Sequence, residues 1–533
     1  MNLSVIFDDA TLECKEAKPF ILFRDHIRPV LETRRHDFEA MYAAVMGRPE
    51  IDPVFLAGVT LLQMMERLPD RSAITACRYD MRWRIALDIP LDWRGIDPSC
   101  LVYFRRRLVK HKQGKIALEA GLEAMRNAGY LRRHSAVRID STHVVAQVSN
   151  MSRLECIRET LRLALEFLIV FGGASCWEPW VSRYTDRNPQ ELRRASAERL
   201  RITMDQAGRD AQDILARTRT LGDAIDQSDP VMLLKRVLNE QFESAENGPI
   251  MQRKVTPAGN VRNPHDPEAV WSTKGTLGKE GWIGSKLQVC ETAPEHKRAP
   301  GEPTEAVITA VVTQPATASD HGSVATVLAV HERGGQAKPD EVFADAGYNS
   351  APALEQAIAN GYILTGPVGA PPHSAGRFGT DAFQVDIPGR RCTCPAGLLN
   401  TECSRINDRT MGRITYYFAW AETSCATCSL KNQCLSQKKL QLFRSLQVGE
   451  KHMLVQERRN LCKTKEYQER MHRRSGIEGT HSELTRGYDL RRSRYRGRGK
   501  TDVQMQFTAA ACNLRRWATR LCWLHHKSKR LKY

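Results

Sequence analysis

Three acidic residues raise the question of chemistry. Asp140 lies in Ala-Val-Arg-Ile-Asp-Ser-Thr-His-Val-Val (136–145), and Asp345 in Glu-Val-Phe-Ala-Asp-Ala-Gly-Tyr (341–348). Glu478 lies in Arg-Arg-Ser-Gly-Ile-Glu-Gly-Thr-His-Ser-Glu-Leu (473–484). The first two stand in or just after apolar, β-type runs, where Asp is normally depleted. The third opens a helical pattern inside a strongly basic stretch. Carboxylate oxygens suit Mg²⁺ or Mn²⁺, and two such ions about 3.5–4 Å apart can activate a water and stabilise a leaving phosphate oxygen. The three acids are 205 and 133 residues apart, so only a fold can assemble them. Each also has a plainer reading. Asp140 would accept backbone hydrogen bonds at a strand edge, Asp345 would serve a turn in Asp-Ala-Gly, and Glu478 would pair with Arg474 at i, i+4.

A second cluster carries different chemistry. Cys392, Cys394 and Cys403 precede Cys425-Ala-Thr-Cys428 and Cys434. A Cys-x-x-Cys step with further cysteines suits a tetrahedral structural Zn²⁺, and the best quartet is Cys394, Cys425, Cys428 and Cys434. The plain alternative is a small β-rich insert with unmetallated thiols. Two other residues read as structural: Asp320, in Ala-Ser-Asp-His-Gly, as a cap for a helix beginning near Ser323, and His143 on the strand that carries Asp140. Gly497-Arg-Gly-Lys500-Thr501 is not a phosphate loop, because its first glycine would fall at Arg494 and no strand precedes it.

Composition bounds the partners. The 533 residues suggest two to four domains. The net charge is +18, and residues 451–533 hold 22 Lys/Arg against 7 Asp/Glu, a net of +15 that leaves +3 for the other 450 residues. A basic region confined to one end is the footprint of a polyanion. It lacks the long apolar face of a membrane-surface helix, so nucleic acid is the expected partner. Arg491, Arg492, Arg494, Arg496 and Arg498 alternate too closely around Tyr495 and Gly497 to share one helical face. A loop there would fan them, with Lys500, along a DNA backbone. Arg105, Arg106 and Arg107 read equally as phosphate contacts or as a solvent face. The chain opens without a basic, apolar leader, and its most apolar run, 161–171, is too short to span a bilayer. A cytoplasmic, nucleoid-associated protein is expected. Fifteen cysteines, an odd number, argue against a disulfide framework.

The elements that must position these residues follow from periodicity. Residues 18–130 read as an all-helical N-terminal domain, with Pro53–Leu68 strongly amphipathic and Asp97-Pro98-Ser99 as a cap. Residues 135–146 read as a strand, 150–246 as helical with a long pattern over 190–224, and 247–281 as loop. Strands follow at 282–290 and 306–313, a helix at 323–332, a strand at 340–344, a helix at 351–360 and a short strand at 362–365. Residues 367–450 form the Cys-rich insertion, and helices resume over 451–526. With 150–270 and 367–450 set aside as insertions, the order is strand, strand, strand, helix, strand, helix, strand, helix. That is the order of an RNase H-like mixed sheet with flanking helices, an α+β or α/β core running over 135–366 and completed by a helix in 451–526. Asp140 falls on its first strand, Asp345 after its fourth, and Glu478 on its last helix.

At this point the chain resembles the DDE transposases of bacterial insertion sequences, over roughly residues 20–520. The likeness rests on Arg-Ile-Asp-Ser-Thr (138–142), Ala-Asp-Ala-Gly-Tyr (344–348) and Arg474…Ile477-Glu478-Gly479-Thr480…Arg491-Arg492-Ser493-Arg494-Tyr495-Arg496-Gly497. It is similar to the branch with a Tyr-Arg-Glu-Lys signature around the last acid. Arg474 and Glu478 keep that signature's four-residue step, while Met471 and Thr485 stand at its Tyr and Lys positions, so that Arg486 or Lys500 would have to supply the cation. The resemblance implies Asp140, Asp345 and Glu478 as ligands of Mg²⁺, a cysteine cluster in the insertion, and an N-terminal domain that recognises DNA, and it narrows the nucleic-acid partner to double-stranded DNA. It implies cutting at terminal inverted repeats and joining of 3′-hydroxyl ends to target DNA, by a homodimer or larger assembly. The alternatives are an RNase H-like nuclease without strand transfer and a non-catalytic DNA-binding derivative.

Overall fold

The computed structural model describes residues 15–42, 51–131, 136–185, 195–244, 250–274, 280–295, 298–369, 371, 377–408, 412–436 and 441–530. Its centre is a mixed sheet. Strand β1 (Ala136–Val145) is followed by a helical insertion that closes with the hairpin β2 (Phe242–Ser244) and β3 (Ile250–Gln252). Then come β4 (Val270–Lys274), β5 (Glu280–Thr292), β6 (Ile308–Pro315), β7 (Glu341–Phe343) and β8 (Ile363–Thr365). β5 pairs antiparallel with β1 along one side, and with β4 and then β6 along the other. β7 joins β1 in parallel and β8 joins β7 in parallel. The order β6-β5-β1-β7-β8 is an RNase H-like sheet, with β4 extending one edge.

The expected 247–281 loop is therefore wrong in part. It contains β3, β4 and the first residues of β5. Gly, Pro and Asn in that stretch mask strands too short to show a period, and pairing with β2 and with the edge of β5 supplies their backbone partners.

The helices sort to two faces. Before the sheet lie α1 (Pro53–Glu66), α2 (Asp70–Tyr79), α3 (Ser99–Lys110) and α4 (Ile116–Asn127). α1 starts because Asp52 accepts from Val54 N at 3.0 Å with Pro53 in the first turn; α3 follows Pro98, and Asp97 just before it accepts from Ser99 N at 2.8 Å. The insertion holds α5 (Arg153–Gly172), α6 (Ala197–Thr220) and α7 (Asp229–Gln241), packed on a core of their own that includes Ile157, Leu161, Ile214 and Leu234. The long pattern expected over 190–224 is realised as α6, and 186–194 lie outside the described residues. α8 (Val324–Arg333) and α9 (Ala351–Ala359) cover one face of the sheet, burying Val137, Ile139, Val342 and Leu364.

The last four helices are α10 (His452–Leu461), α11 (Lys465–Met471), α12 (Gly476–Tyr488) and α13 (Arg498–Arg530). The expected run of helices over 451–526 is broken at 489–497, where Asp489 takes a left-handed turn, φ 53°, and the arginine-rich segment runs as a loop. α13 lies against β6 and against α1, α3 and α4. One continuous core joins Leu61, Leu62, Phe104 and Leu122 to Val144, Leu287 and Val311 of the sheet and to Phe507, Leu514 and Trp517 of α13. Between the central sheet and α10, two small three-stranded sheets and short helical turns form the Cys-rich insertion around Phe383, Phe418 and Trp420.

Candidate active site and nucleic-acid interface

The parallel pairing of β1 with β7 decides where two of the acids stand. Arg138 is level with Phe343 in the register, so Asp140 and Asp345, each two residues further on, leave neighbouring strands at the same height and on the same face. Burial drives the Asp345 carboxyl above the ordinary carboxylate range; Asp140 and, more weakly, Asp320 add to this by like-charge repulsion. Burial also works against ionisation of Asp140, but His481, the Ser141 N–H and Arg474 outweigh it and hold that carboxyl low. Asp140 Oδ1 accepts from Ser141 N at 2.8 Å, and its Oδ2 faces His481 Nε2 at 3.5 Å. Asp345 Oδ1 accepts from Gly347 N at 2.8 Å, which closes the turn that the sequence suggested.

Glu478 reaches the same neighbourhood from α12, which packs on β1. Its carboxylate is 61% exposed and bound to Arg474 Nη2 at 2.8 Å. The i, i+4 pair is therefore present, and Arg474 is also close enough to lower the pKa of both Asp140 and Asp345. Arg474, Glu478 and His481 fall at i, i+4 and i+7 on one face of this helical segment. That spacing was readable in the sequence, and it would have found His481.

Asp320 corrects an expectation. The helix α8 starts at Ser323 without a side-chain cap. The Asp320 carboxylate instead accepts from Lys286 Nζ at 3.1 Å and Gln288 Nε2 at 3.2 Å. It lies beside Asp345: both carboxylates come within 3.6 Å of the point where a Cβ on Gly347 would sit. The fully buried Gln288 also accepts from Tyr348 Oη at 2.5 Å, fastening the Asp345 turn to the loop that carries Asp320. His143, expected to be structural, has its ring 5.3 Å from that of Trp282.

A buried charge network sets α12 against the sheet. Arg138 Nε binds the fully buried Glu291 at 2.6 Å, while Thr480 Oγ1 donates to Glu291 at 2.6 Å and Arg516 Nη1 at 3.1 Å. Arg516 continues to Glu483 at 2.8 Å. Burial opposes ionisation of Glu291, and the two guanidiniums with Thr480 reverse it. None of these long-range partners is visible from local pattern.

The arginine loop is docked by its backbone. Val145 N donates to Arg491 O at 2.7 Å, and Ser493 N donates to Val145 O at 2.8 Å, so Arg492 bridges the end of β1. Arg491, Arg492 and Arg496 are exposed, and Lys500 is half-buried on the first turn of α13. Arg494 and Arg498 are held internally, by Leu68 O at 2.8 Å and by Glu268 at 2.9 Å. Arg105 is neither a phosphate contact nor a solvent residue. It is buried, paired with Asp70 and placed 4.8 Å from the Tyr495 ring.

The quartet Cys394, Cys425, Cys428 and Cys434 lines one pocket of about 400 Å³ beside Trp420. Burial raises the Cys434 thiol, and Cys425, Cys394 and Cys428 raise it further by crowding. The cysteines among the described residues are free thiols. Among those residues no group of three or more His, Cys, Asp or Glu side chains is arranged to hold a metal ion. The donor chemistry nevertheless suits hard cations at the aspartates and a soft one at the thiols.

Two family models match the chain: a Transposase DDE domain over residues 393–518 and a Transposase domain (DUF772) over residues 13–107. Over these two stretches the chain is similar to transposases, with the DDE-domain match in its C-terminal part. The matched part of the DDE domain contains Glu478, His481 and the arginine loop, whereas Asp140 and Asp345 precede it. No curated protein and no solved structure matches the chain. Among its described residues no helix is long and apolar enough to cross a membrane.

Proposed function

We propose that this transposase cuts DNA at the ends of its element and joins the freed 3′-hydroxyls to target DNA, with Asp140, Asp345 and Glu478 as its catalytic acids. The observation that carries the reading is the level, same-face exit of Asp140 and Asp345 from paired parallel strands, with their carboxyls repelling one another. A pair of divalent cations, Mg²⁺ or Mn²⁺, held there would activate the attacking hydroxyl and stabilise charge on the phosphate. Asp140 is kept ionised by His481 and Arg474. Glu478 completes the set once Arg474 turns from it toward a phosphate, an exchange that a planar, bidentate guanidinium suits. Arg491, Arg492 and Arg496 grip the backbone of the duplex; Arg494, Arg498 and Lys500 hold or extend that loop. Pairing two ends calls for at least a dimer. The thiol quartet holds a structural Zn²⁺ in this reading.

The test is transposition in vitro on a supercoiled plasmid carrying the DNA that flanks this gene. Asp140→Asn, Asp345→Asn and Glu478→Gln should each lower cleavage and joining by about a hundredfold or more, a loss of about 3 kcal/mol of transition-state stabilisation. DNA affinity should remain, since it comes mainly from phosphate contacts. Cleavage without joining would favour the nuclease alternative. Full activity of any one variant would remove that residue from the set.

A further inference from the structure

His481 is the side chain at this site that neither the sequence motifs nor the acid set assigns. It sits three residues beyond Glu478, on the face of α12 turned to β1, with its side chain 12% exposed. Neither ring nitrogen has a full hydrogen bond among the described residues, and the nearest acceptor is Asp140 Oδ2 at 3.5 Å. The other oxygen of Asp140 is already held by Ser141 N at 2.8 Å. A buried ring nitrogen without a bond is costly, and a carboxylate held at only one oxygen can rotate. Closing the 3.5 Å gap by a few tenths of an ångström answers both needs.

We propose that His481 is a positioning residue: its Nε2–H donates to Asp140 Oδ2 and fixes the rotamer in which the carboxylate presents its remaining lone pairs to a divalent cation. The inference rests on the assignment of Asp140 as a metal ligand. It requires the tautomer with hydrogen on Nε2. It also explains why α12 is clamped so firmly through Thr480 and Arg516, because a slide of the helix would move Glu478 and His481 together.

The experiment measures Mn²⁺ binding to the full chain by calorimetry, with parent and variants in the same buffer. Outer partners of metal ligands typically contribute about 10–100-fold in affinity. His481→Phe keeps the ring volume and removes the donor, so it should weaken Mn²⁺ binding by about that factor. His481→Asn keeps a donor and should recover most of the loss. Unchanged affinity in His481→Phe would overturn the proposal, and so would equal losses in both variants, which would mark packing as the cause. Asp140→Asn separates this from the wider reading: if that variant binds Mn²⁺ like the parent, Asp140 is not a ligand and the acid assignment itself fails. Melting curves of each variant, run without metal, confirm that a folded chain is being compared.

Discussion

At the scale of residues, Asp345 links stability to chemistry. Its folded pKa is raised by burial and by Asp140. A carboxyl so shifted favours folding while protonated, below its unfolded value of about 3.9, and turns unfavourable as pH rises through the folded value. At neutral pH it is therefore a penalty. Asp345→Asn should melt higher than the parent at pH 7 without metal, by up to about 1 kcal/mol given its partial exposure, while losing activity. Adding Mg²⁺ should raise the melting temperature of the parent and not of the variant. A variant that melted lower at pH 7 would contradict the like-charge account. Much of this site was legible beforehand. Asp140 and Asp345 stood out because apolar strand residues surrounded them, and Glu478 because it opened a helical pattern inside a strongly basic stretch. Asp320 was misread, since Asp before Gly and Ser resembles a cap and its real partners, Lys286 and Gln288, lie some thirty residues upstream on β5.

At the scale of elements, α12 depends on one close approach. A Cβ on Gly476 would fall 1.9 Å from Arg138 Nη1. That guanidinium cannot move aside freely, because Glu291 and the Arg473 carbonyl hold it at 2.6 and 2.9 Å. Gly476→Ala should displace it, loosen the buried pair and cost about 3 kcal/mol in thermal or denaturant unfolding. Gly479→Ala in the same helix meets nothing within 4 Å, and helix propensity should make it neutral or up to about 1 kcal/mol stabilising. Equal effects would show that helix propensity, not the contact, decides. The cysteine insert gives a second test at this scale: purified protein should carry about one zinc per chain by elemental analysis, and the double change Cys425→Ser with Cys428→Ser should lose it. Zinc-free protein with an intact fold would exclude the site. The strands and helices of the core followed from their apolar periods. β3 and β4 did not, because their form comes from edges and backbone partners supplied by distant segments, whereas the arginine-rich loop was expected from the spacing of its arginines and only its docking on Val145 was not.

At the scale of the whole molecule, the N-terminal helices are packed into the same core as the sheet and α13. On the proposed reading, DNA held by these helices would keep a fixed relation to the acids. The backbone pairing of Val145 with the arginine loop makes that relation a length. Asp140 and Val145 are five residues apart on one extended strand, a span of about 16 Å at about 3.3 Å per residue. Duplex DNA advances about 3.4 Å per base pair, so a duplex lying along the strand would advance roughly five base pairs over that span. On the proposed reading the strand would act as a ruler, counting from phosphates gripped by Arg491, Arg492 and Arg496 to the bond that is broken. Ethylation of phosphates about five base pairs from the cleavage site should interfere with binding by the parent, and that interference should vanish when the three arginines are replaced by Ala. Interference spread evenly along the end, or unchanged in the variant, would mean that the measure is taken elsewhere.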